Sequence, residues 1–273
     1  MIKNIFSVEN KIIVLTGGMG QLGIQFSKTL LEHKARVAIL DVESDDQIFQ
    51  DRLGIDVPEN QLILIKCDIT KASDISAALE IIMQKWGKAP YGLINNAALD
   101  SPPNSSSSEN GPFEDYPESS WDKVMEVNVK GPFLLSKIFG KEMAINKSGS
   151  IINISSIYGL LSPNQNIYRY RQEEGKAFFK PVAYSASKSA LFNLTRYLAT
   201  YWAGSGVKVN TLVLAGVFNN QDKKFLNSYE NNIPIGRMAA EGEYNGAILF
   251  LLSEASDYMT GSTLTIDGGW SAW

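Results

Sequence analysis

Along the chain, short apolar runs alternate with longer segments whose apolar positions recur at helical spacing. Apolar runs of strand length suit strands buried on both faces, and such strands separated by amphipathic helices build a parallel sheet. Residues 11–16 are predicted as a first strand, followed by a glycine turn and a helix to about His33. Residues 36–40 read as a second strand ending in Asp41, and 62–66 as a third leading to Asp68. A serine-capped helix is predicted over 73–86, a fourth strand over 92–95, a helix over 120–144 bent at Pro132, and a fifth strand over 149–155. Residues 182–202 read as a long helix, 207–214 as a sixth strand, 241–252 as a helix and 263–266 as a seventh strand. Residues 101–119, rich in Ser, Pro, Asn and acids, are predicted to form an exposed, mobile loop, and 160–181 an irregular connection. No repeat or interdomain linker interrupts this order, so residues 1–273 are expected to form a single α/β domain of three α/β/α layers around a doubly wound, seven-stranded parallel sheet.

Composition narrows the possibilities. Of 273 residues, 44% are hydrophobic and 20% charged, as in ordinary globular proteins, and the net charge is −4. A nucleic-acid surface would need a basic balance, so no nucleic-acid partner is expected. No apolar run approaches the roughly 20 residues of a membrane span, and the N-terminal residues lack a signal-peptide core. A membrane partner is therefore not expected. Cys67 is the only cysteine, which rules out an intramolecular disulfide or a cysteine-rich metal site and fits a cytoplasmic location. Cys67 reads as a small core residue, and no metal is expected. His33 is the only histidine and stands among charged residues near a helix end, so a serine–histidine–aspartate hydrolase lacks its base.

The richest chemistry lies in Tyr184-Ser-Ala-Ser-Lys188. Four residues apart on a helix, the phenol and the ammonium share one face. A nearby cation favours the phenolate, and bringing a tyrosine from about 10 to about 7 would take about 4 kcal/mol. Upstream, the first strand runs into Thr16-Gly17-Gly18-Met19-Gly20-Gln21-Leu22-Gly23. Glycines there let backbone N–H groups approach a pyrophosphate at a helix N-terminus, as in a Rossmann-type nucleotide site. They could also simply make a strand-to-helix turn. Asp41 follows Gly23 by 18 residues at the tip of the second strand. A carboxylate there accepts from ribose hydroxyls and repels a 2′-phosphate, so NAD is favoured over NADP.

With these pieces in order, the chain resembles the short-chain dehydrogenase/reductase family over nearly its whole length. The matching segments are the glycine turn, Asp68, Asn95-Asn96-Ala97-Ala98, Asn128 in Val127-Asn128-Val129, Ile154-Ser155-Ser156, Tyr184-x-x-x-Lys188, and the tail through Ile266-Asp267-Gly268-Gly269. The resemblance implies that Tyr184 is the general acid/base at the carbinol or carbonyl oxygen and that Ser156 hydrogen-bonds the same oxygen. Lys188 would lower the tyrosine pKa and bind the nicotinamide ribose, and Asn128 would hold a water linking Lys188 to solvent. Gly17, Gly20, Gln21, Leu22 and Gly23 would surround the pyrophosphate, and Asp41 the adenosine ribose. Asp68 and Ile69 would meet the adenine, Asn95 and Ala97 the adenosine ribose, and Gly216 and Val217 the carboxamide. The resemblance also implies a homotetramer or homodimer, with the helices over 120–144 and 182–202 packing across one two-fold axis.

Some positions depart from the family pattern. Gln21 stands where the family usually has glycine, and Asn-Asn-Ala-Gly has become Asn95-Asn96-Ala97-Ala98. Ala215-Gly216 replaces Pro-Gly, and the usual threonine nearby is Asn220. Ser156 and Tyr184 stand 28 residues apart, about twice the family's usual spacing. The extra segment interleaves Tyr168, Arg169, Tyr170 and Arg171, and arginine grips phosphate or carboxylate in a forked geometry. Tyr158, Arg169 and Arg171 are thus the candidate substrate contacts; a solvated loop or a subunit contact is the bland alternative. The expected activity is NAD(H)-dependent hydride transfer between nicotinamide and a secondary alcohol or ketone, on a sugar or an anionic, phosphorylated sugar. The insertion resembles that of variants from surface-sugar and flagellin-modification pathways. One alternative is a reductase of small hydrophobic ketones or acyl thioesters, with Phe178 and Phe179 walling an apolar pocket. Another is a non-catalytic NAD-binding scaffold. The aromatic tail Trp270-Ser-Ala-Trp273 is predicted to bury against a neighbouring subunit.

Overall fold

A computed structural model describes residues 4–100, 109–175 and 178–273. The strands are β1 (Ile12–Thr16), β2 (Arg36–Asp41), β3 (Leu62–Lys66), β4 (Gly92–Asn95), β5 (Gly149–Ser156), β6 (Val207–Leu214) and β7 (Thr263–Ile266). They form one parallel sheet in the order β3-β2-β1-β4-β5-β6-β7. The helices are α1 (Gln21–Glu32), α2 (Asp46–Leu53), α3 (Ala72–Trp86), α4 (Glu118–Met125), α5 (Gly131–Ile145), α6 (Ile157–Leu160), α7 (Arg169–Glu173), α8 (Val182–Trp202), α9 (Lys223–Glu230) and α10 (Asn245–Leu252).

β1 shows how the sequence makes three layers. All five of its residues are buried, and successive side chains point to opposite faces. Ile13 and Leu15 join a core with Phe26 and Leu30 of α1 and Leu251 of α10. Ile12 and Val14 join a second core with Ile75 of α3, Phe139 of α5 and Leu198 of α8. Each fully buried side chain of this size contributes about 1.5–3 kcal/mol, so a one-residue register slip would exchange two complete cores. The chain builds outward from β1 to β3, then crosses back to β4 on the other side of β1. That reversal opens a crevice at the carboxyl ends of β1 and β4, where such sheets bind ligands.

All seven predicted strands are present, and the departures concern the helices. The predicted 120–144 helix is α4 and α5 joined by a π-helical stretch, Glu126–Lys130, in which the Gly131 N–H bonds the Glu126 carbonyl. The irregularity therefore sits at Asn128, ahead of Pro132, which stands in the first turn of α5 and has no N–H to lose. The 160–181 connection is partly ordered by a 3₁₀ turn, Gln165–Tyr168, and by α7. Of the predicted mobile loop 101–119, residues 101–108 lie outside the described residues. The remainder holds a 3₁₀ turn, Phe113–Asp115, and the start of α4. The tail is also corrected. Trp270 is 7% exposed within its own chain, packed on Tyr158 and Tyr229, whereas Trp273 is 80% exposed. The first tryptophan needs no neighbouring subunit to bury it.

Candidate active site

The crevice is a cleft of about 870 Å³, within the range of small-molecule sites. One end is built by the turn after β1. Gly17 has φ +66°, and a Cβ there would lie 2.8 Å from the Ala97 Cα. A Cβ on Gly23 would lie 2.2 Å from the Gly17 carbonyl oxygen, so only glycine lets α1 start this close to β1. Thr16 and Asn96 fix the turn to the β4 loop: the Thr16 hydroxyl accepts from the Asn96 and Ala97 N–H groups at 3.1 and 3.0 Å. The Asn96 side chain donates to the Thr16 and Gly17 carbonyls at 3.0 and 3.1 Å.

α1 opens on the cleft through Gln21, Leu22 and Gly23, with no side-chain cap and no acid in its first turn. Uncapped N–H groups at the positive end of a helix dipole suit a diphosphate. At the tip of β2, Asp41 accepts from the Met19 N–H at 2.9 Å and the Glu43 N–H at 3.2 Å, which fixes its carboxylate on the cleft wall. Asp68 and Ile69 line the same end. Hydrogen bonds from the Thr70 hydroxyl and N–H, with the Lys71 ammonium at 3.2 Å, hold the Asp68 carboxyl below its usual range. The donors, the ribose-side acid and the volume of the cleft therefore fit a nicotinamide dinucleotide.

At the other end Ser156, Tyr184 and Lys188 converge, delivered by the end of β5 and the first turns of α8. The Lys188 Nζ donates to the Ile154 carbonyl at 2.8 Å and lies 5.8 Å from the Tyr184 ring centroid. Burial pulls Lys188 down to about 8. Burial pushes the Tyr184 phenol up, with Asp100 adding to the rise and a hydrogen bond with Ser156 opposing it. The lowering expected from Lys188 does not appear in the free protein, where burial dominates and holds the Tyr184 phenol above its ordinary value. A neutral phenol beside a serine hydroxyl can donate a proton to a developing alkoxide.

Asn128 lies behind this group rather than in the cleft. Its Oδ1 accepts from the Leu99 N–H at 2.7 Å, and its Nδ2 donates to the Leu99 carbonyl and the Ser187 hydroxyl, both at 2.9 Å. The Ser187 hydroxyl in turn donates to the Tyr184 carbonyl at 2.8 Å. Asn128 thus ties the β4 loop to the helix that carries the tyrosine.

The remaining predicted residues divide. Gly17, Gly20, Ala97, Tyr158, Gly216 and Val217 line the cleft. Asn95 does not, because its side chain turns into the sheet and donates to Asn153 Oδ1 at 2.7 Å. The Gln21 side chain leaves the phosphate region and donates to the Phe218 carbonyl at 2.9 Å and to Glu241 at 3.2 Å, bridging the glycine turn to the segment after β6. Arg169 is exposed at the start of α7, and the Arg171 guanidinium stacks 4.7 Å from the Phe178 ring centroid. Neither arginine lines the cleft, which corrects their assignment as substrate contacts. What does line the substrate end is Tyr158, Tyr168, Phe225, Tyr229, Asp100 and Lys180. Tyr158 was expected as a substrate contact, and Tyr168 and Lys180 lie in the insertion singled out from sequence; Asp100, Phe225 and Tyr229 were not expected. The one signal for Lys180 was its position just ahead of the Tyr184 helix, within the insertion.

Comparison with known proteins agrees with this geometry. A family model described as enoyl-(acyl carrier protein) reductase matches residues 20–271. D-arabinitol 2-dehydrogenase (ribulose-forming) of Candida albicans strain WO-1 is 30% identical, covering 98% of this chain and 95% of its own length. NAD-dependent glycerol dehydrogenase of Listeria innocua is 29% identical, with 97% and 96% covered. A crystal structure of a short chain dehydrogenase from Leptospira borgpetersenii with bound NAD+ superposes with a TM-score of 0.84 at 32% identity, covering 99% and 97%. The chain belongs to the short-chain dehydrogenase/reductase family, and it is an NAD-dependent oxidoreductase of CH–OH groups.

Proposed function

We propose that the protein interconverts a secondary alcohol of a small neutral polyol and the corresponding ketose. The observation that carries this reading is the convergence of Ser156, Tyr184 and Lys188 at one end of a cleft whose other end bears Asp41. When bound, NAD supplies the hydride acceptor or donor. The chain's own residues do the rest. The Tyr184 hydroxyl gives its proton to the carbonyl oxygen during reduction and recovers it during oxidation. The Ser156 hydroxyl holds that oxygen in place, and Lys188 compensates the phenolate left on Tyr184. The uncapped start of α1 takes the diphosphate, Asp41 the adenosine ribose, Asp68 and Ile69 the adenine side, and Val217 the carboxamide. The similarity to arabinitol and glycerol dehydrogenases supports a polyol.

An anionic sugar has less support, because neither arginine lines the cleft and Lys180 is paired with Asp100. The aromatic wall at the substrate end favours a second reading, a reductase of uncharged hydrophobic ketones. A link to flagellin modification is supported by the insertion and by 28% identity, over 96% of this chain, to post-translational flagellin modification protein A of Campylobacter coli. We also propose a homotetramer, supported by Tyr197 and Tyr201, exposed and stacked on α8, and by Phe133, exposed on α5. A cytoplasmic location is proposed on the single, buried cysteine; no described helix is long and apolar enough to cross a membrane. The test of function is reduced-nicotinamide absorbance with NAD+ and a panel of pentitols, glycerol, sugar phosphates, a nucleotide-linked sugar and monohydric secondary alcohols. Turnover of the polyols supports the reading. Turnover of monohydric alcohols alone, or of phosphorylated sugars alone, overturns it.

A further inference from the structure

Among the described residues, the insertion between α6 and α8 delivers one cation, Lys180, to the substrate end, and its position is tightly fixed. The Gln165 side chain clamps the Lys180 backbone from both sides: its Oε1 accepts from the Lys180 N–H at 2.9 Å, and its Nε2 donates to the Lys180 carbonyl at 3.3 Å. Pro181 follows and starts α8, so Lys180 is locked ahead of the helix that carries Tyr184. The Lys180 Nζ then sits 4.8 Å from the Tyr184 ring centroid and 5.8 Å from that of Tyr158. Its side chain is 11% exposed and is ion-paired with Asp100, which hangs from the loop after β4. Both residues line the cleft beside Ser156 and Tyr184.

A half-buried ion pair is weak evidence for stability, because desolvation offsets most of its attraction. Its chemistry does fit a ligand. A carboxylate is an acceptor and an ammonium is a donor, and a hydroxyl is both. One hydroxyl placed against the pair can accept from the ammonium and donate to the carboxylate, whereas a hydrogen atom in its place adds no bond to the existing ion pair. The pair is neutral as a unit and gives an anionic group no preference. We propose that Asp100 and Lys180 form the specificity element of this enzyme, reading the hydroxyl on the carbon next to the reacting one and so selecting vicinal diols over monohydric alcohols. This rests on the polyol reading above and names the feature of the polyol that is recognised.

The test compares kcat/KM for 2,3-butanediol and 2-butanol, which differ by one hydroxyl, in the wild type, Asp100→Asn, Lys180→Met and Arg169→Ala. Hydrogen bonds to charged groups are worth about 10–100-fold here, and the wild type is expected to prefer the diol by that factor. Asp100→Asn and Lys180→Met are each expected to bring the ratio close to one, mainly by raising the KM for the diol, with the KM for NAD+ little changed. Arg169→Ala, outside the cleft, is expected to retain the wild-type ratio. Asp100→Asn preserves shape and serves where Lys180→Met melts early. A diol preference that survives both substitutions, or an equal loss for both alcohols, overturns the proposal and leaves the polyol reading standing. A wild type that oxidises no polyol with NAD+ overturns both.

Discussion

The two glycines that open α1 make unequal demands, and substituting each by alanine separates them. A methyl on Gly23 would lie 2.2 Å from the Gly17 carbonyl oxygen and 2.6 Å from the Gly18 Cα, both backbone atoms that cannot rotate away. To reach ordinary contact of about 3.5 Å, the turn and the first turn of α1 must separate by more than 1 Å. Overpacking of that kind costs about 1–3 kcal/mol, or roughly 2–4 °C of melting temperature per kcal/mol for a domain near this size. The same displacement moves the N–H groups that would face a diphosphate, so NADH affinity is expected to fall at least about tenfold, the equivalent of 1.4 kcal/mol. Gly20 differs. Its φ of −74° and ψ of 169° suit any residue, and its added methyl meets only the Gly17 oxygen, at 3.3 Å. Gly20→Ala should cost under about 1 kcal/mol, mostly from alanine's poor capping. The assay is thermal melting with and without NADH, together with NADH titration by fluorescence. Equal behaviour of the two variants, or a Gly23→Ala protein that melts and binds like the wild type, would refute this account of the turn.

Tyr184→Phe removes the proton donor but keeps the ring, so turnover should fall about 10²–10⁴-fold while NADH still binds; retained turnover would assign the proton to another group. Because burial raises the Tyr184 pKa, ketone reduction, which needs the phenol, should hold at neutral pH and fall as pH climbs through the raised value. Alcohol oxidation, which needs the phenolate, should rise over the same span; paired pH profiles of kcat/KM check both signs. Trp270→Ala should destabilise the protein by about 3–5 kcal/mol, since Trp270 packs inside its own chain on Tyr158 and Tyr229. Trp273→Ala should change the melting temperature little unless a neighbouring subunit covers that side chain.

The strands were legible because a parallel sheet buried on both faces requires continuous apolar runs, and those runs stand out between amphipathic helices. α2 escaped notice because its eight residues bury only Phe49 and Leu53 and are otherwise polar. α9 is similar, with Tyr229 its one buried residue. The π stretch at Asn128 leaves no pattern of its own, since one skipped hydrogen bond does not change the residue types on a helix face. In the site, motifs placed Ser156, Tyr184, Lys188 and Asp41 on the cleft because each sits at a strand end or helix start that the topology fixes. The motif placed Asn95 at the ribose, but the hydrogen bonds show that Asn95 turns into the sheet and its neighbour Asn96 holds the glycine turn. Motifs could not choose which cation of the insertion faces inward. Arg171 found an aromatic partner in Phe178, and Lys180 was turned to the cleft by Gln165.

The central claim, that the cleft is an NAD site in which Asp41 selects the cofactor, is tested most directly by titrating NADH and NADPH against the wild-type protein. A carboxylate held by two backbone N–H groups cannot move aside without breaking both bonds. NADH is therefore expected to bind at least about 10–100-fold more tightly than NADPH, a difference of roughly 1.4–2.8 kcal/mol. Equal affinities, or tighter binding of NADPH, would contradict the role given to Asp41 and the cofactor assignment built on it.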